Sequence, residues 1–560
     1  MLAWWFERGR AVALPDVAGA ELPCVSYAPF RRAGQTPFDA QLRIPHAQIE
    51  QDLRILRGVT RCVRTYGLGH GLEAVPSVAR ELGLRVRLGA WIGRDAQANA
   101  AEVDRAAALA REYADVIEML IIGNEVLLRR ELEPAALATW LDRARRQAGV
   151  PVSYADVWEF WQRHSQALKR HVDVATIHVL PYWEDEPVAI GAAVAHVYAI
   201  TTQMRAHFAP LRVWVGETGW PAAGRQRGGA RPGRVEQARF VRELVARIRL
   251  EPLDVNLVEA FDQPWKRALE GAMGGAWGLY DAAGRARFPW RGALQDDPAW
   301  QRGPLAALLA ALAAAVAAGL RGRSARELAF AAFGSALIGA VAVAHAETLE
   351  VWSRTPAEWA LALALALVML ASATASAWRL TVRDRPRGAN ADLPQGDTAH
   401  APQGASAVAP RGAAPNAALP GIVAAYAGSG LTLGVRLLAV TRFAALFSAA
   451  AVALPLVFDA RYRELAWTLL AAPAPLGVAL RLAGQRLDAG AREERVLACV
   501  MAACAVAIAG QEGLANAQAL AFALLLALMA AAVVAPHRGS RGRANTSSAS
   551  NTAGAAKVAQ

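Results

Sequence analysis

Two glutamates stand immediately beyond apolar runs. In Leu211-Arg-Val-Trp-Val-Gly-Glu-Thr-Gly-Trp-Pro221, alternating Leu211, Val213 and Val215 read as a short buried strand that breaks at Gly216, and Glu217 is the first residue past it. In Val116-Ile-Glu-Met-Leu-Ile-Ile-Gly-Asn-Glu-Val126, Glu125 holds the same place after its own run. A lone strand-end glutamate is ordinarily a solvated acid. Two in one domain form a carboxylate pair, and such pairs cut glycosidic bonds: one attacks the anomeric carbon or activates water while the other protonates the leaving oxygen.

The elements that must position this pair form a repeating unit of strand, polar turn and amphipathic helix. Strands are expected at Leu22–Ala28, Thr60–Tyr66, Leu84–Trp91, Ile117–Gly123, Val152–Val157, Val172–Val179, Leu211–Val215 and Val255–Phe261. Helices are expected at His46–Leu56, Leu72–Leu82, Asn99–Tyr113, Glu133–Ala148, Glu159–Arg170, Ile190–Phe208 and Val235–Arg249, with a shorter stretch near Arg267. Eight such units in about 270 residues make a (β/α)8 TIM barrel, an α/β fold whose site lies at the carboxyl ends of the strands. There the sequence sets Tyr27, Phe30, Arg64, Tyr66, Trp91, Asn124, Asp156, Trp158, His178, Tyr182, Trp183, Trp220, Asp262 and Trp265. Each ring alone is ordinary packing. Together they suit an oligosaccharide cleft, because sugars present C–H faces to rings and hydroxyls to carboxylates and amides.

Seven segments carry a resemblance to a known family: Val25-Ser-Tyr27, Arg64-Thr-Tyr66, Ile122-Gly-Asn-Glu-Val126, Leu180-Pro-Tyr182, Gly216-Glu-Thr-Gly-Trp-Pro221, Phe261-Asp-Gln-Pro-Trp-Lys266 and Trp277-Gly-Leu-Tyr280. Residues 21–290 resemble glycoside hydrolase family 17, the β-1,3-glucanases, and in particular its membrane-bound bacterial members, which include glucanosyltransferases. The resemblance implies Glu125 as general acid/base and Glu217 as nucleophile. It implies that Asn124 bonds the sugar hydroxyl next to the reacting carbon, and that Tyr182 and Lys266 lie at the substrate. Tyr27, Arg64, Tyr66, Trp220, Asp262 and Trp265 complete the expected substrate-binding set. Leu180 stands where plant relatives carry a first tyrosine, which alters one wall. The substrate would be β-1,3-glucan or a gluco-oligosaccharide, with no cofactor and no metal. A retaining pair sits about 5–5.5 Å apart, and the negative charge of Glu217 would raise the affinity of Glu125 for its proton.

The rest of the 560-residue chain is of another kind. The net charge of +12 suggests nucleic acid, but the arginines of the second half cluster at the ends of apolar runs, which fits a lipid bilayer as partner and no nucleic acid. Spans are expected at Gly303–Leu320, Leu328–Ala346, Trp359–Trp378, Phe443–Phe458, Leu465–Leu480, Val496–Gly510 and Ala517–Val534. Arginines follow the first, third, fifth and last, while Glu347–Glu358 and Gln511–Asn516 are acidic or nearly neutral. The positive-inside rule then places the C-terminus in the cytoplasm and the catalytic domain outside, on a multi-pass protein of the inner membrane with a periplasmic barrel. Arg461 and Arg463, in an outward loop, are the exception.

The expected division is a leader at 1–20, the glycosidase at 21–295, three spans at 303–378, a polar, largely disordered loop at 379–441, four spans at 442–536 and a disordered cytoplasmic tail at 537–560. Met1–Arg10 carries no signal peptide, and Trp4-Trp5-Phe6 reads as the end of a membrane segment that begins upstream. Cys24 and Cys62 read as buried thiols, with a bond as the alternative if the domain is extracytoplasmic; Cys499 and Cys504 read as small lipid-phase residues. Two other functions compete: a glucan-binding, export or assembly factor working with glucan-synthesis proteins, and a nucleotide-sugar synthase, against which stands the lack of an Asp-x-Asp pair on a cytoplasmic segment.

Overall fold

The computed structural model describes residues 1–17, 22–381, 433–483 and 492–534. Eight parallel strands close a barrel in sequence order: β1 (Cys24–Ser26), β2 (Cys62–Arg64), β3 (Arg85–Ala90), β4 (Ile117–Asn124), β5 (Val152–Val157), β6 (Val174–His178), β7 (Arg212–Thr218) and β8 (Val255–Leu257). The strands formed as β1, β2 and β8 are shorter than expected, β8 keeping only the first three residues of its expected range. Helices follow as α1 (Leu2–Gly9), α2 (His46–Arg57), α3 (Val75–Leu82), α4 (Ala96–Glu112), α5 (Pro134–Gln147), α6 (Trp158–Leu168), α7 (Ile190–Phe208), α8 (Arg234–Leu250) and α9 (Arg267–Glu270). Outward strand residues such as Val213 and Val215 pack with helix residues in one large core, while Cys24, Cys62, Met119, Ile121, Ala155, Val174 and Trp214 fill the barrel itself.

Cys24 and Cys62 form a disulfide, so the expectation of free thiols is corrected. They lie on paired strands and both face the interior, with Cα atoms 4.4 Å apart, within bonding reach. Cys499 and Cys504 are free thiols, exposed and buried respectively.

The second half is a helical bundle. Five of its described helices are long and apolar enough to cross a membrane: Arg302–Leu320, Ala325–Trp352, Pro356–Thr381, Arg436–Phe458 and Ala517–Val534. The two remaining expected spans differ. Leu465–Leu480 is broken into the short helices Trp467–Leu470 and Pro473–Leu482, where proline cannot continue a helix. Val496–Gly510 lies within Arg492–Glu512, whose ends carry charge. The polar loop and the C-terminal tail lie almost wholly outside the described residues, and the helix Leu433–Phe458 begins ten residues before the expected span. Helix α1 is seated on the bundle: Trp5 is fully buried, and its indole N–H donates to the Ala340 carbonyl at 3.3 Å. Gly303 makes room for that indole, since a Cβ there would come within 2.0 Å of the ring.

Barrel and bundle meet through three inter-helix segments. Arg8 pairs with Glu347 at 2.6 Å, and Arg354 donates to the Arg267 carbonyl at 2.9 Å. Arg225 donates to the Arg463 carbonyl at 3.0 Å and pairs with Glu512, and Asn516 donates to the Gln226 carbonyl at 3.0 Å. Arg225, Gln226 and Arg267 follow β7 and β8, so the bundle is applied to the carboxyl end of the barrel.

Candidate active site

Each glutamate reaches the barrel mouth past a register shift. Along β4, Met119 and Ile121 face the interior, and the pairing with β5 shifts between Ile121 and Asn124, just before Glu125. Gly123 takes a φ of +82° and Glu125 itself a φ of +55°. A left-handed backbone costs a non-glycine residue on the order of 1–3 kcal/mol, and such strain collects at functional sites. On β7 the interior residue is Trp214, so strict alternation would send Glu217 outward with Val213 and Val215. A register shift against β6 between Ile177 and His178 pairs Glu217 with His178 and turns its carboxylate inward. At Gly216 a Cβ would lie 2.3 Å from Thr176 Cγ2, so only glycine fits under the shifted strand.

One oxygen each from Glu125 and Glu217 and one nitrogen from His178 lie within 4.8 Å of one another. His178 Nδ1 is 2.8 Å from Glu125 Oε1, and its Nε2 is 3.7 Å from Glu217 Oε1. Arg64, buried in the barrel, donates to Glu217 Oε1 at 3.1 Å, to the Gly216 carbonyl at 2.7 Å and to Asn124 Oδ1 at 2.6 Å. One guanidinium therefore sets the nucleophile candidate and the amide beside Glu125 in a common frame.

The cleft over these groups has a volume of about 390 Å³. Its walls include Trp158, Phe160 and Arg163 after β5, Trp183 after β6, and Lys266 and Glu270 after β8. Of the expected catalytic and substrate-binding residues, Glu125, Glu217 and Lys266 line it, as do Trp158, His178 and Trp183 of the wider set expected at the mouth. Asn124 and Tyr66 stand beside it, half-buried, and the Tyr66 hydroxyl donates to Ser26 Oγ at 2.9 Å. The others lie elsewhere. Tyr27 is enclosed and donates to Asp52 at 3.1 Å, while Tyr182 and Trp220 are buried against one another and against Trp277 and Phe240. Asp262 pairs with Arg287, and Trp265 packs edge-on to Phe38 at 5.5 Å. Tyr27, Tyr182, Trp220 and Asp262 are buried behind the walls, and Trp265 is half-buried.

The charges differ from expectation at Glu125. Burial raises its pKa, but the hydrogen bond from His178 and the charges of His178, Arg129 and Arg64 outweigh burial and hold the carboxyl below its ordinary value. The rise expected from Glu217 is not the dominant effect, because cationic neighbours surround Glu125. Glu259, just past β8, is pushed up to about 7 by burial despite its ion pair with Lys266 at 3.0 Å. Burial also raises Glu270. Sequence reasoning did not assign Glu259, although it too is an acid following an apolar strand; its signal was the same as that of Glu125 and Glu217. His178 was placed at the mouth but given no role, since nothing local marks a histidine as a neighbour of two distant glutamates.

Residues 24–278 match the family model described as the BtgE/BtgC glycoside hydrolase domain. Over 261 residues the chain is 24% identical to a glucan 1,3-beta-glucosidase of Candida albicans, covering 42% of this chain and 82% of that protein. Over 235 residues it is 28% identical to a glucan 1,3-beta-glucosidase of Schizosaccharomyces pombe, covering 38% and 72%. Among solved structures, it is similar to a β-1,3-glucanosyltransferase of Rhizomucor miehei determined with laminaritriose, at 21% identity and a TM-score of 0.42, covering 48% of this chain and 96% of that one. The barrel, which carries both glutamates within the matched residues, is thus similar to the glycoside hydrolase family 17 β-1,3-glucanases.

Proposed function

We propose that the protein is a membrane-anchored, retaining enzyme acting on β-1,3-glucan by double displacement. The observation that carries this reading is the approach of Glu125 and Glu217, whose nearest oxygens lie within 4.8 Å. That approach is nearer the roughly 5–5.5 Å of a retaining pair than the roughly 6.5–9.5 Å of an inverting one. Arg64 aims Glu217 at the anomeric carbon. Glu125 protonates the leaving oxygen, and after the glycosyl-enzyme forms it deprotonates the incoming hydroxyl. His178, with Nδ1 2.8 Å from Glu125 Oε1, orients that carboxyl.

Whether water or a second sugar takes the glycosyl group depends on how well an acceptor is seated. A wall of Trp158 and Phe160 on the Glu125 side offers rings for one. The catalytic domain is assigned to the periplasmic side of an inner membrane, with the C-terminus cytoplasmic. Two observations support this: the segments expected outside, Glu347–Glu358, the loop of Arg461 and Arg463, and Gln511–Asn516, all touch the barrel, and a disulfide joins β1 to β2, as oxidising compartments favour.

Product analysis tests the reaction. Full-length protein extracted in detergent should convert laminarihexaose to shorter oligosaccharides at low concentration and to longer ones at high concentration, all with β-1,3 linkages. Products that are only shorter, at every concentration, would reduce the enzyme to a hydrolase. Binding without turnover would favour the export or assembly factor instead.

A further inference from the structure

The cleft is not built by the barrel alone. Residues 459–466 connect Leu433–Phe458 to Trp467–Leu470, and Arg461 and Tyr462 from this connection line the same cavity as Glu125 and Glu217. The Tyr462 ring meets the Trp183 ring edge-on at 6.0 Å and is still 44% exposed. Its backbone is clamped. Arg225, only 3% exposed, donates to the carbonyls of Ala460 and Arg463, the latter at 3.0 Å, and pairs with Glu512. The Ala272 N–H donates to Glu464 Oε1 at 3.2 Å, and a Cβ at Gly271 would come within 2.6 Å of the Tyr462 carbonyl. The connection thus spans from the loop after β6 to the segment after β8, across the end of β7 that carries Glu217. A buried guanidinium spent on backbone carbonyls leaves one geometry for the connection, because breaking it would strand a desolvated charge.

We propose that this connection is a wall of the sugar-binding cleft, with Tyr462 as a stacking face and Arg461 as a hydrogen-bond donor for a glucosyl unit beyond the one held at Glu217. The proposal rests on the reading of the cleft as a β-1,3-glucan site. An aromatic ring beside a guanidinium is the chemistry that meets a pyranose, the ring covering its C–H face and the N–H groups its hydroxyls. The opposite rim repeats the combination with Phe160 and Arg163. A chain crossing both glutamates runs from one such platform to the other. The wall lies outside the residues matched by the family model, so the bundle adds a subsite that the barrel does not possess. It also accounts for the two arginines that sit awkwardly in an outward loop: one faces the cleft, and the other lends its carbonyl to Arg225.

The consequence is dependence on chain length. In the full-length protein, Tyr462→Ala should lower the ratio of kcat/KM for laminarihexaose to that for laminaritriose by about tenfold, the size of one lost aromatic contact, mostly through KM. Tyr462→Phe should keep the ratio within about twofold of the original, since the ring remains. Tyr462→Leu, which fills the space without a flat face, should behave as the alanine variant does and guards against a collapsed loop; equal thermal midpoints establish that each variant is folded. A Leu variant with unchanged length dependence, or a loss equal at every length, would overturn the wall while leaving the glycosidase reading intact. No turnover by the unaltered protein at any length would overturn that reading, and the proposal with it.

Discussion

Barrel and bundle place buried charge in opposite ways. In the barrel, Arg64, Glu217, Glu259 and Asp262 are nearly inaccessible, every one is paired, and all sit at the carboxyl ends of strands. In the described part of the bundle, long stretches present only apolar side chains, with Leu305, Leu308, Leu309 and Leu312 exposed along one helix. A buried ion pair there joins Arg442, nine residues inside the helix Leu433–Phe458, to Glu494 at 2.7 Å. Desolvating a charge costs several kcal/mol on the order of magnitude, so charge buried in number marks a place where it is used. The barrel concentrates it around a cleft, whereas in the bundle it is sparse. The inter-helix segments of the bundle that touch the barrel meet that cleft.

The sharpest way to break that contrast is to remove the carboxylates. Glu217→Ala should lower kcat by about 10⁴-fold or more on every substrate, because no covalent intermediate can form. Glu125→Ala should retain its first step on aryl glycosides with good leaving groups, and azide should restore its turnover with a β-configured product. Azide rescue of Glu217→Ala with an α product would reverse the two roles.

A second test addresses the side of the membrane on which the chemistry occurs. Alkaline phosphatase fused after Leu294 should be active and a fusion after Arg323 inactive, an all-or-none difference. The opposite pattern would put the barrel in the cytoplasm and undo the assignment of the three contacting segments to the outside.

The smallest effect concerns pH. A carboxyl held below its ordinary value loses its proton early, so kcat/KM should decline as pH rises from the acid side through the pKa of Glu125. His178→Gln removes the largest effect opposing burial. The Glu125 pKa should then rise, and the declining limb should move to higher pH while kcat falls. A limb that stays in place would show that another group supplies the proton.

Much of this was legible in the residues themselves. Eight strand–helix units, apolar runs that end in Glu125 and Glu217, and the clustering of arginines at the ends of apolar runs are local patterns, and local patterns survive in a sequence. The strand containing Trp214 shows where legibility stopped. Its alternation puts Glu217 on the helix side, and only a register shift between two strands turns it to the mouth. The direction of the Glu125 shift was misjudged for a similar reason. The sequence displays one carboxylate near another, but not His178, Arg129 and Arg64 gathered around it from β6, the β4 loop and β2.

Composition and spacing alone determined that this chain has a barrel with an acid pair and an apolar helical half, because periodicity and charge placement are written residue by residue. Which aromatics line the cleft, and which lie buried behind its wall, was decided by the tertiary structure. Tyr27, Tyr182 and Trp220 satisfy the same sequence criteria as Trp183, yet packing buries three and leaves the fourth facing the cleft. The participation of Tyr462 was likewise invisible, since it lies 245 residues beyond Glu217 and reaches the site only because Arg225 grips the loop that carries it. Long-range contacts of this kind depend on how finished elements dock, and docking is fixed by shape and by buried polar partners that no single stretch contains.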